Sequence, residues 1–151
     1  MTRKLSLLAI VACATLSFGT PISAHAGEVC IIVNSANPIE SLTAKEVRDL
    51  FVKTVTSWSS GERIRPSDQK GNSPDRDAFL SKVLGFSSEE LERHWVERQY
   101  ASAENPPTKF DDDESVIKFV TAFKGGLGFV SKSSLLAYTG KGVKPVLTIK
   151  Y

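Results

Sequence analysis

Short β-branched apolar runs alternate with helix-start signals along this chain, and the alternation restricts the folds open to it. The run EVCIIV at 28–33 indicates a buried strand. A capping box follows, in which Thr43 precedes Glu46 by three residues, and a second box pairs Ser87 with Glu90. Strands that alternate with helices predict an α/β domain whose mixed or parallel sheet is flanked by helices.

The remaining elements are expected at shorter signals. RIRP at 63–66 predicts a short strand in which Pro66 marks an edge or an end. A helix is expected to begin after Ser73 and to stop at Gly85. The last helix begins at 112 or 113 and is expected to end with Gly125 as its C-cap. The closing strands are predicted at 127–130 and 143–149.

The first 26 residues read as a signal peptide. Arg3 and Lys4 precede an apolar run at 5–18, and AHA at 24–26 is a small-residue cleavage site. We therefore expect a single periplasmic domain at 27–151, without a transmembrane helix because the apolar run is short. Lipid anchoring at Cys13 is the alternative, since IVAC resembles the box before a lipidated cysteine.

Charge and composition argue against several classes of partner and cofactor. The chain carries a net charge of +2, and cleavage would remove Arg3 and Lys4 and leave equal numbers of basic and acidic side chains. A neutral domain is atypical of proteins that bind nucleic acid or anionic lipid. Cys30 and His94 have no Cys or His partner at metal-binding spacing, so neither a metal nor a cofactor is predicted.

An enzymatic role is not predicted either. A serine-type triad would need His94 beside a nucleophile, and the sequence contains no Gly-x-Ser-x-Gly elbow. The carboxylates at 111–114 are typical of a helix N-terminus. His94 itself is expected on a solvated helix face.

The stretch DQKGNSPDRDAF at 68–79 is the strongest candidate for a binding site. Ser73 is a good N-cap, and the free N–H groups and positive dipole end of a helix favour an anion there. Arg76 can pair with an oxyanion through two N–H groups, and Lys70, Arg63 and Arg65 are reserve cations. Arg76 can equally pair with Asp68 or Asp75 of the chain itself. The competing interpretation is a capped, self-neutralised helix start, because Asp75 and Asp77 compete with any anion for the same donors.

A second candidate is NSAN at 34–37, which follows the first strand. Ser35 and Asn37 can turn polar groups toward a ligand at the carboxyl edge of a sheet, a common place for α/β sites. An Asx turn explains the same residues equally well.

Three stretches together resemble a known family: VNSANPIESLTAKEVRDLF, GERIRPSDQKGNSPDRDAF and GGLGFV. In order and spacing they are similar to the short phosphate-binding-protein-like sequences that Gram-negative bacteria export. Those sequences in turn resemble one lobe of the receptors of phosphate ABC transporters. The resemblance covers almost all of 27–151 and implies a one-lobe type 2 periplasmic-binding-protein fold.

The resemblance also implies site residues. In the full-length receptors an arginine precedes a Ser-Gly-Thr turn by four residues, and the turn holds phosphate at a helix start. Here Gln69 stands at the place of that arginine, Ser73 matches the serine, and Pro74 and Asp75 replace Gly-Thr. Pro74 lacks an N–H, so one donor of the turn is lost.

Two functions follow as hypotheses. The first is an exported solute-binding-like module that binds phosphate or a similar oxyanion for an ABC transporter or a sensor. One lobe leaves such an anion half solvated, so affinity is modest or another surface completes the site. The second is an interaction domain of the envelope that derives from one lobe and binds no ligand.

Overall fold

A computed structural model describes residues 26–140 and 142–151. The signal-peptide prediction and its lipid-anchoring alternative at Cys13 therefore lie outside the described residues. No helix within the described part is both long and apolar enough to cross a membrane. The strands are β1 (Glu28–Asn34), β2 (Arg65–Gln69), β3 (Thr108–Phe110), β4 (Gly126–Ser131) and β5 (Val143–Lys150). The helices are α1 (Ala44–Phe51), α2 (Pro74–Phe79), α3 (Ser88–Ser102), α4 (Asp113–Ala122) and α5 (Lys132–Ala137).

The strands form one five-stranded sheet in the order β3-β2-β4-β1-β5. Strand β2 is parallel to both β3 and β4, whereas β1 is antiparallel to both β4 and β5. The predicted α/β architecture with a mixed sheet and flanking helices is confirmed. The parallel part of the sheet matters most for function, because the carboxyl ends of β2 and β4 meet at one edge.

Both faces of the sheet are buried, which explains the uninterrupted apolar run of β1. Ile31 belongs to one apolar cluster and Ile32 to the other. On the first face Phe79 stacks on Phe129, with ring centroids 4.1 Å apart. On the second face α4 packs Val116 against the sheet. Alternate residues of β1 therefore hold the two layers of helices together.

The helix-start signals predict local structure well. Thr43 and Ser87 both form complete capping boxes, with Glu46 and Glu90 as their partners. After α2 the chain continues as a π-helical segment, Leu80–Leu84. It stops at Gly85, whose φ of 67° is the left-handed conformation expected of a glycine cap.

The second strand differs from its prediction. It runs over Arg65–Gln69, and Pro66 lies inside the sheet with β3 and β4 on either side of the strand. The proline is tolerated because β3 begins only opposite Ser67, so no strand partner stands beside Pro66 on that side. Strand β3 and helix α5 were not predicted; both are short, and their sequences carry weak signals.

Gly125 is not the C-cap of α4, contrary to the prediction. The helix ends at Ala122, and Phe123 occupies the C-cap position. A Cβ atom on Gly125 would lie 1.9 Å from the carbonyl oxygen of Arg63. Glycine is required here because two backbone segments meet too closely for any side chain.

Candidate functional site

The carboxyl ends of the parallel strands form the edge that carries the candidate site. Strand β2 ends at Gln69, and a short loop leads from it to Ser73 and α2. In open α/β sheets, ligands bind in the crevice at this edge. The fold thus brings Gln69, Ser73 and Arg76 into one region.

The start of α2 is largely satisfied by its own residues. The Ser73 hydroxyl accepts a hydrogen bond from the Arg76 N–H at 3.1 Å, and the Asp77 N–H donates to the Ser73 carbonyl at 2.9 Å. Pro74 has no N–H to offer. Among the hydrogen bonds of the described residues, the Asp75 N–H is the first-turn donor left without an acceptor. The helix start alone therefore offers one amide to an anion.

The carboxylate of Asp75 does not compete for those amides, contrary to the competing interpretation. It accepts a hydrogen bond of 2.5 Å from the Tyr151 hydroxyl. Burial, and next the hydrogen bond to Asp75, raise the pKa of Tyr151 to about 12. Tyr151 thereby holds the carboxylate of Asp75 away from the start of α2.

Arg76 is held by Asp68, one of the two aspartates that the sequence offered as its partner. Arg76 is 2% exposed, and its guanidinium donates from Nε and Nη2 to the two oxygens of Asp68, at 3.0 and 2.9 Å. Its Nη1 donates to the Ser88 hydroxyl at 2.8 Å. The hydrogen bonds that Arg76 donates to Asp68 raise the pKa of Arg76 above its usual value. Arginine has five N–H donors, so these three bonds leave two for another acceptor.

An open cavity of about 230 Å³ lies directly beside this guanidinium. We call it the Arg76 cavity; its wall is formed by the loop at 69–72, Arg76, Ser88, Glu92 and Lys109. Lys70 pairs with Asp111 at 3.0 Å, and Lys109 pairs with Glu92. The cavity thus combines the buried guanidinium of Arg76, the hydroxyl of Ser88 and the exposed ammonium groups of Lys70 and Lys109. Each ammonium group is paired with a carboxylate.

Gln69 takes part in a second, internal network. Its Nε2 donates to Asp113 Oδ1 at 2.5 Å and to the Phe129 carbonyl at 3.2 Å. The other oxygen of Asp113 accepts from the N–H of Ser131 at 3.1 Å and from its hydroxyl at 2.8 Å. A carboxylate of the chain itself therefore takes up the donors at the end of β4.

Ser35 and Asn37 do not join this region. Strand β1 is antiparallel to β4, so its carboxyl end lies at the amino ends of β2 and β4. Gln69 stands four residues along β2 from Arg65, which corresponds to roughly 13 Å. Asn37 Oδ1 accepts the Ile39 N–H at 3.0 Å, as in an Asx turn, and its buried Nδ2 has no partner among the described residues.

His94 is not on a solvated face, contrary to the prediction. It is half-buried between two aromatic rings, with centroids 5.4 Å from Phe86 and 5.1 Å from Trp95. Burial, and next the charge of Arg98, lower its pKa. Across residues 26–140 and 142–151, no group of three His, Cys, Asp or Glu side chains is placed to hold a metal ion.

Of the two aspartates that the sequence offered to Arg76, Asp68 is the one that pairs with it, since it is buried in β2 and requires a cationic partner. Ser88 was not predicted but could have been suspected from the sequence. Ser88 follows the N-cap Ser87, so its hydroxyl is free to bond elsewhere. The involvement of Asp113 has no signal in the sequence, because it depends on where α4 docks.

Comparison with known proteins places the fold. No family model and no curated protein sequence matches the chain. An ABC-type phosphate transport receptor from Vibrio cholerae superposes with a TM-score of 0.60 at 21% identity, over 80% of this chain and 46% of the receptor. A putative phosphate ABC transporter substrate-binding protein with bound phosphate from Clostridium perfringens gives 0.56 at 19%, over 83% and 56%.

A possible phosphate binding protein from Planctomyces limnophilus gives a TM-score of 0.58 at 20% identity, over 80% of this chain and 41% of its own. The chain therefore spans about half the length of the solved structures it matches. It has the fold of part of these binding proteins, as the resemblance of its sequence motifs implied.

Proposed function

We propose that this protein is an exported solute-binding-like module that recognises phosphate or a similar oxyanion in the Arg76 cavity. One observation supports this proposal above all: a buried guanidinium with two uncommitted N–H donors lines an open cavity at the carboxyl edge of the sheet. Ser88 can donate its hydroxyl proton to the same anion, and Lys70 and Lys109 add positive charge at the rim.

The geometry supports modest affinity. Asp68 already neutralises Arg76, and the two lysines have carboxylate partners of their own. The cavity is also open to water, which weakens each charge interaction. A second surface, supplied by an ABC transporter or a sensor, would exclude that water and strengthen binding. The role is one of binding and delivery, with no catalytic step.

Export belongs to the same proposal. The leader pattern at 1–26 directs the domain to the periplasm, and lipid attachment at Cys13 is the alternative fate. Either fate leaves the Arg76 cavity in the compartment where external oxyanions are captured.

A second candidate function is an envelope interaction domain that binds no oxyanion. The observation that favours this function is that carboxylates of the chain itself already accept hydrogen bonds from several donors of the site. Asp68 takes two donors of Arg76, and Asp113 takes the donors of Gln69 and Ser131. These two carboxylates of the chain accept hydrogen bonds from donors that an anion would otherwise use.

Calorimetric titration with inorganic phosphate separates the two functions. We expect saturable heat in the millimolar range. We also expect Tm to rise, because phosphate at ten times Kd stabilises the folded state by about 1.4 kcal/mol. The double variant Lys70→Gln/Lys109→Gln should bind phosphate several-fold more weakly, since two rim charges are removed. It should still fold normally, because both lysines form surface ion pairs.

The matched control is Lys45→Gln/Lys118→Gln, which also removes two lysines in exposed ion pairs, with Asp49 and Glu114. Its affinity for phosphate should equal that of the wild type. Absence of both heat and thermal stabilisation in the wild-type protein at millimolar phosphate would leave the interaction domain as the function.

A further inference from the structure

A second basic cavity lies at the opposite end of β2. It has a volume of about 320 Å³ and lies beside Arg65 and Pro66, where the strand begins. We call it the Arg65 cavity; its wall also includes Lys53, Arg63, Phe119 and the segment at 105–108. Its position follows from the short edge strand, because β3 begins only opposite Ser67 and leaves the first part of β2 uncovered.

The cavity carries an excess of positive charge. Lys53 pairs with Glu104 at 3.0 Å, and this contact lowers the pKa of Glu104. The positive charge of Arg63 lies close enough to lower the pKa of Glu104 further, by a smaller effect. Within the described residues, the side chains of Arg63 and Arg65 form no ion pair and no hydrogen bond. The cavity wall therefore carries three cations, of which Lys53 alone forms an ion pair among the described residues, in a domain whose expected net charge is zero.

Arg65 is held in position without being neutralised. Its guanidinium carbon lies 4.4 Å from the centroid of the Phe123 ring, and Phe123 packs on Phe119 at 5.0 Å. A guanidinium stacked on an aromatic ring keeps its in-plane N–H donors available for a carboxylate or phosphate. The stacking also reduces the entropy lost when an anion binds.

The open edge of the sheet adjoins this cavity. Strand β3 pairs with β2 on one side, and its other side has no strand neighbour in the described part of the sheet. Thr108, the first residue of β3, lines the cavity. An extended segment can add to such an edge through backbone hydrogen bonds and place a side chain in the adjoining cavity.

We infer that the Arg65 cavity and the edge of β3 together dock an extended acidic segment of a partner protein, with its carboxylates on Arg63 and Arg65. Charge complementarity and the unpaired edge select this occupant. A free small anion could contact the two guanidinium groups, but it would leave the edge of β3 unpaired. The inference is independent of the Arg76 cavity, which lies at the other end of β2.

Titration with hexaglutamate, followed by the NMR signals of the arginine Nε–H groups, tests the inference. We expect hexaglutamate to shift the signals of Arg63 and Arg65 and to leave that of Arg76 unchanged. The variant Arg63→Gln/Arg65→Gln should weaken binding by about tenfold, as expected for the loss of two partly exposed ion pairs. Phe123→Leu, which keeps both charges, should weaken it by a smaller factor because Arg65 loses its support.

Three controls make the result decisive. Arg93→Gln removes an exposed arginine that does not line the cavity, and it should bind hexaglutamate like the wild type. Hexaglutamine of the same length should bind much more weakly than hexaglutamate. Any of three results would overturn the inference. The two peptides could bind equally well, Arg63→Gln/Arg65→Gln could bind hexaglutamate with the affinity of the wild type, or inorganic phosphate could shift the same NMR signals with the affinity of hexaglutamate. If phosphate does not bind in the Arg76 cavity, the inference about the Arg65 cavity still stands.

Discussion

At the scale of single residues, Asp68 determines what Arg76 can do. A guanidinium that is almost fully buried must be paired, and Asp68 provides both oxygens for it from within β2. The pair fixes the arginine in the wall of the Arg76 cavity and at the same time takes up its charge. The same contact therefore positions a donor for an oxyanion and limits how strongly the anion is held.

Replacing Asp68 tests this dependence. Asp68→Asn leaves a buried positive charge without its counterion, and we expect the free energy of unfolding to fall by about 3–5 kcal/mol. Asp111→Asn is the matched change, because it breaks the exposed pair with Lys70, and it should cost less than about 1 kcal/mol. Urea denaturation of the three proteins measures both values; similar losses would contradict a structural role for Asp68.

At the scale of elements, the junction between α4 and β4 sets the register of the parallel strands. Gly125 passes directly over the carbonyl of Arg63, and its own carbonyl accepts the Arg65 N–H at 2.9 Å and the Trp58 Nε1–H at 3.2 Å. This close backbone contact aligns Arg65 with Gly126 and so places the ends of β2 and β4 at one edge.

Gly125→Ala should disrupt that junction. Its Cβ would meet a backbone oxygen that cannot move alone, so we expect a loss of stability of about 3 kcal/mol or more. Gly61→Ala serves as the control, because Gly61 has a φ of 87° but open space around it. Backbone strain alone should cost about 1–2 kcal/mol there. Thermal melts that rank the two variants in the reverse order would refute the steric explanation.

At the scale of the whole molecule, the two apolar clusters on either face of the sheet share β1 as their common wall. Neighbouring residues of this strand, Ile31 and Ile32, are fully buried on opposite faces. Both tryptophans, Trp58 and Trp95, belong to the first cluster. A domain built in this way should unfold as one cooperative unit.

Conservative truncation on each face tests that cooperativity. Ile31→Val and Ile32→Val should each lower the free energy of unfolding by about 0.5–1.5 kcal/mol. Although Ile32 lies on the face without tryptophan, Ile32→Val should shift the denaturation midpoint by fluorescence as much as by far-ultraviolet circular dichroism. A shift seen by circular dichroism alone would show that the two faces unfold separately.

The whole molecule also separates its two cavities. The Arg76 cavity lies at the carboxyl end of β2 and the Arg65 cavity at the amino end. Lys109 of β3 connects the two surfaces, because it lines the Arg76 cavity and belongs to the strand at which the acidic segment is expected to dock. The chain spans about half the length of the solved structures it matches.

The sequence by itself determined the features that depend on near neighbours in the chain. These features are the capping boxes at Thr43 and Ser87, the N-cap at Ser73 and the helix stop at Gly85. Each involves residues only a few positions apart, so the sequence alone is sufficient to predict it. The alternation of strands and helices likewise gave the fold class, and the quoted motifs gave the resemblance.

Tertiary structure alone decided how the site is assembled. Because β1 is antiparallel to β4, the carboxyl end of β1 lies beside the amino end of β4. Ser35 and Asn37, which follow β1, therefore lie at the end of the sheet opposite to the Arg76 cavity. Docking of α4 brought Asp113 to Gln69, 44 residues away in the chain. Such contacts arise when segments that are distant in the sequence pack together, and a local sequence pattern does not predict that packing. Only the folded chain therefore shows which hydrogen-bond donors have a partner and which are free.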